Sequence, residues 1–246
     1  MKLTVLGGSG AWPTAAHACS GYLVEQSGFR LLVDPGYATF PQLLHHVTAD
    51  AVDAVLVTHG HPDHCADLNP LLRARALADS PPPAMPVYAP AGALDAVLAL
   101  DRPGMLAPAC TRRDFAPGDT LTVGPFTIGT ASLPHHVPNA GLRLTTADGV
   151  LTYTGDTGPS PEITRLAEGA DVLLSEATYP HEVPDEDAPY LLTAVLAGQY
   201  AAQAGVARLL LTHLWPGTDP ATAVTAAAVV YDGPVDVATT GLVVEI

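Results

Sequence analysis

Basic side chains are scarce in this sequence: 10 Lys and Arg stand against 25 Asp and Glu, a formal net charge of −15 over 246 residues. A protein that holds long RNA or DNA presents Lys and Arg to phosphate, so the balance disfavours an extended nucleic acid and leaves a small phosphate ester admissible. Cysteine is nearly absent. Cys19, Cys65 and Cys110 are odd in number and lack close pairing, which argues against a disulfide framework and fits a reducing compartment. No stretch approaches the roughly 18–20 uninterrupted apolar residues of a membrane span. Met1 to Val5 runs straight into a strand-like segment without a basic, apolar, cleavable leader. These absences predict a cytoplasmic protein with no membrane partner.

Apolar residues make up 48% of the chain, enough for one core and one domain over 1–246. Strand-like runs at Leu3–Leu6, Tyr22–Glu25 and Phe29–Val33 alternate with turn punctuation in the N-terminal third. Gly7-Gly8-Ser9-Gly10 lacks both the dinucleotide spacing and a Gly-Lys-Ser/Thr element, so it reads as a tight turn. Helical spacing is expected over Thr39–Val47, with His45 and His46 on its outer face, and over Leu68–Ala78, Gly92–Leu100, Pro189–Ala204 and Pro220–Val229. Further strands are expected at Val87–Ala89, Leu121–Ala131, Gly141–Thr145, Val150–Thr154, Asp171–Ser175, Arg208–Thr212 and Val235–Ile246. Strands in both halves separated by helices suggest two layers of strands flanked by helices.

The densest chemistry lies at His59-Gly60-His61-Pro62-Asp63-His64, directly after the apolar run Ala54-Val55-Leu56-Val57. Three imidazoles and a carboxylate within six residues, at the end of a strand, form a donor set suited to Zn²⁺ and similar cations. Cys65 reads as a small buried thiol behind these donors, which suffice without it. Further donors stand at predicted strand ends: His135 or His136, Asp156 in Thr154-Gly155-Asp156-Thr157-Gly158, and His213 after Leu209-Leu210-Leu211-Thr212. Each alone reads equally well as a turn former or a satisfied histidine; together they complete a two-metal set.

That order of donors resembles the metallo-β-lactamase superfamily, and its context is similar to the ribonuclease Z-like phosphodiesterase branch and the atypical class II cyclic-nucleotide phosphodiesterases. Leu31-Leu32-Val33-Asp34-Pro35-Gly36, His135-x-Val137-Pro138-x-x-Gly141 and Ala170 to Thr178 add to the likeness, which covers nearly the whole chain. The resemblance implies a four-layer αββα sandwich and two divalent metal ions, Zn²⁺ or Mn²⁺. His59, His61 and His135 would hold one ion, Asp63, His64 and His213 the other, and Asp156 would bridge them. His135 matches the family's spacing better than His136. Asp63 would also orient or take the nucleophile's proton, so that Asp63 and Asp156 are the catalytic pair. Asp34 would orient a ligand histidine.

Two departures narrow the activity. Only twenty residues separate His135 from Asp156, a short hairpin where a ribonuclease Z that matures transfer RNA carries a long exosite arm. Ser175 stands where the ribonuclease pattern has a histidine before Glu-Ala-Thr, so the leaving-group proton must come from Glu176, His181 or water. The expected function is hydrolysis of a small phosphodiester, a 3′,5′-cyclic nucleotide first, by a dinuclear-metal-activated hydroxide. Alternatives are a ribonuclease Z-like nuclease without exosite, an ester or lactone hydrolase, and a non-enzymatic nucleotide-binding sensor. Tyr179, His181 and Trp215 follow predicted site strands and, with His17 in the first loop, are the expected substrate contacts. The Ala-rich helix 191–204 is the expected face of a homodimer.

Overall fold

The computed structural model describes residues 1–246, and two consecutive halves of the chain each build one sheet. The first half runs β1 (Lys2–Gly7), β2 (Gly21–Gln26), β3 (Phe29–Val33), α1 (Thr39–Leu43), β4 (Ala54–Leu56), α2 (Pro62–Cys65), α3 (Leu68–Ala76), β5 (Met85–Pro90), α4 (Asp95–Leu98) and β6 (Cys110–Phe115). The second runs β7 (Thr120–Val123), β8 (Phe126–Leu133), β9 (Asn139–Thr145), β10 (Val150–Tyr153), α5 (Pro161–Ala167), β11 (Val172–Glu176), α6 (Ala194–Ala204), β12 (Arg208–Thr212), α7 (Pro220–Ala228) and β13 (Val235–Val237). Strand β14 (Val243–Glu245) then crosses back and pairs antiparallel with β1. Two seven-stranded sheets result, ordered β14-β1-β2-β3-β4-β5-β6 and β13-β12-β11-β10-β9-β8-β7.

Strand alternation assigns the layers. Tyr22, Val24, Leu31, Val33 and Leu56 face Phe126, Ile128, Leu142, Tyr153 and Leu174 in one core between the sheets. The intervening Leu23, Leu32 and Val55 turn outward onto Leu68, Leu71 and Leu72 of α3. Leu173, Leu209 and Leu211 turn the other way, onto the alanine faces of α6 and α7. Each fully buried leucine contributes ~1.5–3 kcal/mol of transfer free energy, so alternation alone pins the register. The order helix, sheet, sheet, helix is the expected αββα sandwich. No helix is long and apolar enough to cross a membrane.

Five stretches depart from the sequence expectation. The helix expected over Thr39–Val47 keeps only Thr39–Leu43 and leaves His45 and His46 in the turn that follows it. Leu121 to Ala131 is two strands, because the chain reverses at Gly124-Pro125 and pairs Val123 with Phe126. Gly124 has φ +55 there, and a Cβ would strike the Phe29 ring at 2.5 Å. The helix expected from Pro189 begins only at Ala194, where the Thr193 hydroxyl accepts the Leu196 N–H at 3.1 Å; Leu191 and Leu192 are buried in the preceding loop. Gly92 to Leu100 keeps a single helical turn, α4. Val235 to Ile246 divides between the two sheets, with Gly241 at φ +87 in the crossing. The sequence reading also passed over β6 and over α5, whose Ser160 cap accepts the Glu162 N–H. The helix expected at a dimer interface turns Ala194, Ala197, Ala201 and Ala204 inward. At Gly198 a Cβ would lie 2.6 Å from the Ala227 carbonyl of α7, so this face is packed within the chain.

Candidate metal centre

Strand ends from both sheets converge on one point. His59, His61, Asp63 and His64 follow β4; His135 follows β8, Asp156 follows β10 and His213 follows β12. A single ligand atom from each of His59, His61, His135 and Asp156 lies within 4.8 Å of the others, and the same holds for Asp63, His64, Asp156 and His213. Asp156 belongs to both groups. Its Oδ2 lies 3.7 Å from His59 Nε2, 3.7 Å from His135 Nε2 and 3.1 Å from His213 Nε2, and its Oδ1 lies 3.2 Å from His64 Nε2.

Four of the five clustered imidazoles are anchored through Nδ1, which aims Nε2 inward. His64 Nδ1 donates to Asp34 Oδ2 at 2.8 Å, and His135 Nδ1 donates to the Tyr190 carbonyl at 3.0 Å. His59 Nδ1 donates to Thr58 Oγ1 at 3.0 Å, and Thr58 Oγ1 donates in turn to Asp34 Oδ2. His213 Nδ1 donates to Thr178 Oγ1 at 3.0 Å, which donates to Glu176 Oε2. The fifth, His61, turns its Nδ1 to within 3.0 Å of His135 Nε2. Asp34, fully buried, also accepts from the Thr58 N–H and the Tyr153 hydroxyl. Glu176, equally buried, also accepts from the Thr157 N–H and so fixes the turn that carries Asp156. Gly155 makes that turn at φ +58, where a Cβ would lie 2.5 Å from Asn139 Oδ1.

The donor set fits divalent cations on a direct test. His59 Nε2, His64 Nε2 and Asp156 Oδ1 are buried and make no hydrogen bond, although His64 Nε2 and Asp156 Oδ1 are close. Buried polar atoms left unsatisfied are costly. These atoms lie close together around Asp156, within the donor groups that share it, and a bound cation would satisfy them. Electrostatics agree. Burial lowers His64, but Asp156, Asp63 and the Asp34 hydrogen bond outweigh it and hold the imidazole well above its ordinary pKa. His213 is likewise buried yet raised to about 9, chiefly by Asp156 and Asp63. Burial raises Asp156, but His213 and His64 outweigh it and hold the carboxyl well below its usual range. Burial and then His64 push His59 well down, and burial lowers His135 to about 4. Burial and Asp156 raise Glu176 to about 7.

The remaining candidates fall at different places. His136 lies outside the cluster: it is exposed, packs against Tyr190 with the ring planes tilted by 39° and sits 3.5 Å from Asp187. Cys65 is buried behind the site against the Gly60 carbonyl. Trp215 packs on Tyr179 with ring centroids 5.6 Å apart and planes 19° from parallel, and it lines a cavity of about 280 Å³ with His17. His181 stands apart, exposed beside a separate hollow lined by Pro159, Val183 and Leu191. Sequence reasoning passed over Trp12, whose ring meets Trp215 edge to face at 5.0 Å. It also passed over Ala11, whose N–H donates to Asp63 Oδ2 at 2.9 Å. Neither residue belongs to a strand or a periodic run, so no local signal marks them.

Comparison with known proteins places the same residues in context. The family profile described as "Beta-lactamase superfamily domain" matches residues 29–214. The "Probable metallo-hydrolase YhfI" of Bacillus subtilis is 31% identical over the whole of both chains. The crystal structure of that metallo-β-lactamase fold protein superposes with a TM-score of 0.90 at 32% identity, over 100% of this chain and 98% of the other. A "Ribonuclease Z" of Kineococcus radiotolerans is 29% identical over 86% of this chain and 82% of its own. Unliganded yeast PDE1 shares the fold, with a TM-score of 0.74 at 12% identity over 100% of this chain and 99% of the other.

Proposed function

The chain belongs to the beta-lactamase superfamily of metallo-hydrolases, and from that premise we propose that it is a metal-dependent phosphodiesterase acting on a small phosphodiester. The foremost substrate is a 3′,5′-cyclic nucleotide, opened to the 5′-monophosphate. The observation that carries the reading is the pair of donor groups joined at Asp156, with buried nitrogens and an oxygen that have no partner in the chain. His59, His61 and His135 would hold one cation, and Asp63, His64 and His213 the other. Two divalent ions such as Zn²⁺ or Mn²⁺ would supply Lewis acidity and a water acidic enough to ionise near neutral pH.

The protein's own groups do the rest. Asp63, at 7% exposed, is slightly more accessible than Asp156 at 3%, and the Ala11 N–H holds its Oδ2, so it is the carboxylate that would orient and take a proton of the attacking water. Glu176 cannot serve as leaving-group acid while it is fully buried and engaged by Thr157 and Thr178. His181 lies outside both donor groups and borders a separate hollow, and Ser175 Oγ is committed to the Glu176 carbonyl. Solvent water then protonates the leaving oxygen.

Size selection follows from the surroundings. Between His135 and Asp156 the chain forms only the tight β9–β10 hairpin, closed by Thr146 N–H to the Gly149 carbonyl. On the other flank the segment His181–Asp187 carries Glu182, Asp185, Glu186 and Asp187, and Asp187 contacts His136 beside the cluster. That acidic lip repels a polyanion and tolerates one phosphodiester. The test is product formation by Mn²⁺- or Zn²⁺-loaded protein on a panel of 3′,5′- and 2′,3′-cyclic nucleotides, with an activated bis-aryl phosphodiester as control. Turnover of a 3′,5′-cyclic nucleotide, lost on Asp156→Ala and on His64→Ala, is the expected result. Silence on the whole panel overturns the reading.

A further inference from the structure

We propose that Trp12 and Trp215, backed by Tyr179, form a stacking subsite for the planar heteroaromatic base of a nucleotide whose phosphate lies at the metal centre. The proposal rests on the phosphodiesterase reading for what occupies that centre and adds a residue, Trp12, that binds the other end of the substrate. Both indoles are tied to the ligand shell through backbone. Trp12 follows Ala11, whose N–H is bound to Asp63 Oδ2. Ala11 holds φ +57, a left-handed conformation rare for alanine, and the Trp12 carbonyl is held by Ser9 Oγ at 3.2 Å. Trp215 stands two positions after His213, and its N–H donates to the Thr178 carbonyl at 3.0 Å. Thr178 is the residue whose hydroxyl orients His213. Consecutive Cα atoms are about 3.8 Å apart, so Trp215 starts two residues from His213 and Trp12 one residue from the backbone contact to Asp63; His213 and Asp63 belong to the same donor group.

The rings are exposed where packing would hide them. Trp12 is 47% exposed and Trp215 36%. Their contact is edge to face, at 82°, so whichever ring supplies the edge, Trp12 keeps at least one face that Trp215 does not cover. Tyr179, parallel to Trp215, stiffens it from behind. A cavity of about 280 Å³ opens on Trp215 and is walled by Ser9, Thr14, His17, Thr218 and Thr239; Trp12 does not line it but packs on Trp215, which does. Those hydroxyls and the imidazole supply donors and acceptors for ring nitrogens and ribose hydroxyls, while no Lys or Arg lines it. The chemistry therefore suits a neutral heteroaromatic ring and sugar rather than a second phosphate.

The chain contains only these two tryptophans, so its intrinsic tryptophan fluorescence reads the subsite alone. Adenosine 5′-monophosphate titrated into the metal-loaded protein is expected to quench that emission saturably, while ribose 5-phosphate, which lacks the base, is not. Trp12→Ala should abolish most of the saturable quenching and raise KM for a 3′,5′-cyclic nucleotide about 5- to 150-fold, the range of one base–aromatic stack, with the loss in KM rather than kcat. Trp12→Phe, which keeps a stacking face, should restore most of the affinity. Equal quenching by both phosphates, or an unchanged KM in Trp12→Ala with turnover intact, overturns the subsite and leaves the phosphodiesterase reading standing. Base-dependent quenching by a protein that turns over no phosphodiester keeps the subsite and removes that reading.

Discussion

Loading the metal centre should release protons, and the structure sets how many. In the metal-free protein His64 is held well above its ordinary pKa and His213 at about 9, both by Asp156 and Asp63, whereas burial keeps His59, His61 and His135 lowered. At pH 7 His213, at about 9, is about 99% protonated, and His64, held well above its ordinary value, is protonated as well, so each carries a proton on Nε2 that cation ligation would displace; the expected release is about two protons per chain. Isothermal titration of Zn²⁺ into metal-free protein, in buffers of different ionisation enthalpy, gives that number from the slope. The release should decline as the pH passes about 9, where His213 gives up its proton unaided. The same groups set stability. A raised His213 contributes stability that is complete below about 6.5 and is lost as pH rises through about 9, an alkaline loss of about 3 kcal/mol for the metal-free protein. Asp63 and Asp156 are depressed, so their contribution is present above the ordinary carboxylate pKa and is lost as acid approaches their lowered values. Denaturation curves from pH 6 to 10 should show the alkaline loss without metal and little of it with metal. Release of fewer than about half a proton at pH 7, or identical curves with and without metal, would refute the assignment of the cations to this cluster.

Asp34→Asn keeps the shape but turns an amide toward four donors that now reach a carboxylate, from Thr58 N–H and Oγ1, Tyr153 and His64. It should cost ~2–4 kcal/mol in urea denaturation and weaken metal retention about 10- to 100-fold in a chelator competition. Gly198→Leu should lower Tm by about 2–10 °C through overpacking of α6 on α7, read by circular dichroism, without altering metal content. Neutralising the acidic lip as Glu182→Gln, Asp185→Asn and Glu186→Gln together should raise affinity for a short single-stranded RNA several-fold at ~10 mM salt and not at ~0.5 M, where charges are screened. Fluorescence anisotropy at both salt concentrations checks it.

The convergence of donors was legible where they crowd into a few residues, as in His59 to His64, because no fold requires three imidazoles in so short a segment. The choice between His135 and His136 was not fixed by residue type. The structure separates them through a distant partner, the Tyr190 carbonyl, which takes Nδ1 of His135 while His136 turns out to Asp187. The misread elements share a cause. Gly124-Pro125 and Gly241 reverse or redirect runs whose apolar pattern continues unbroken, and periodicity records burial rather than direction. The helix from Pro189 was begun at a proline, a common first position, but the Thr193 cap four residues on is the real start. Trp12 had no signal because its contact is with Trp215, more than two hundred residues away in sequence.

The support of the ligands explains why the two halves of the chain cannot work apart. In the first sheet a carboxylate after β3, Asp34, reaches through Thr58 to orient His59 after the parallel neighbour β4. In the second, a carboxylate at the end of β11, Glu176, reaches through Thr178 to orient His213 after the parallel neighbour β12. Asp34 and His213 both hold positive φ, at 47° and 56°, a left-handed turn at each strand end that residues other than glycine rarely adopt. Neither group of ligands is complete within one sheet: Asp63 and His64 need Asp156 and His213, while His135 and Asp156 need His59 and His61. The centre therefore exists only once the core between the sheets has closed. Cations bound there would favour the folded chain over the unfolded one by mass action, and metal removal should loosen the contact between the sheets before it disturbs either sheet.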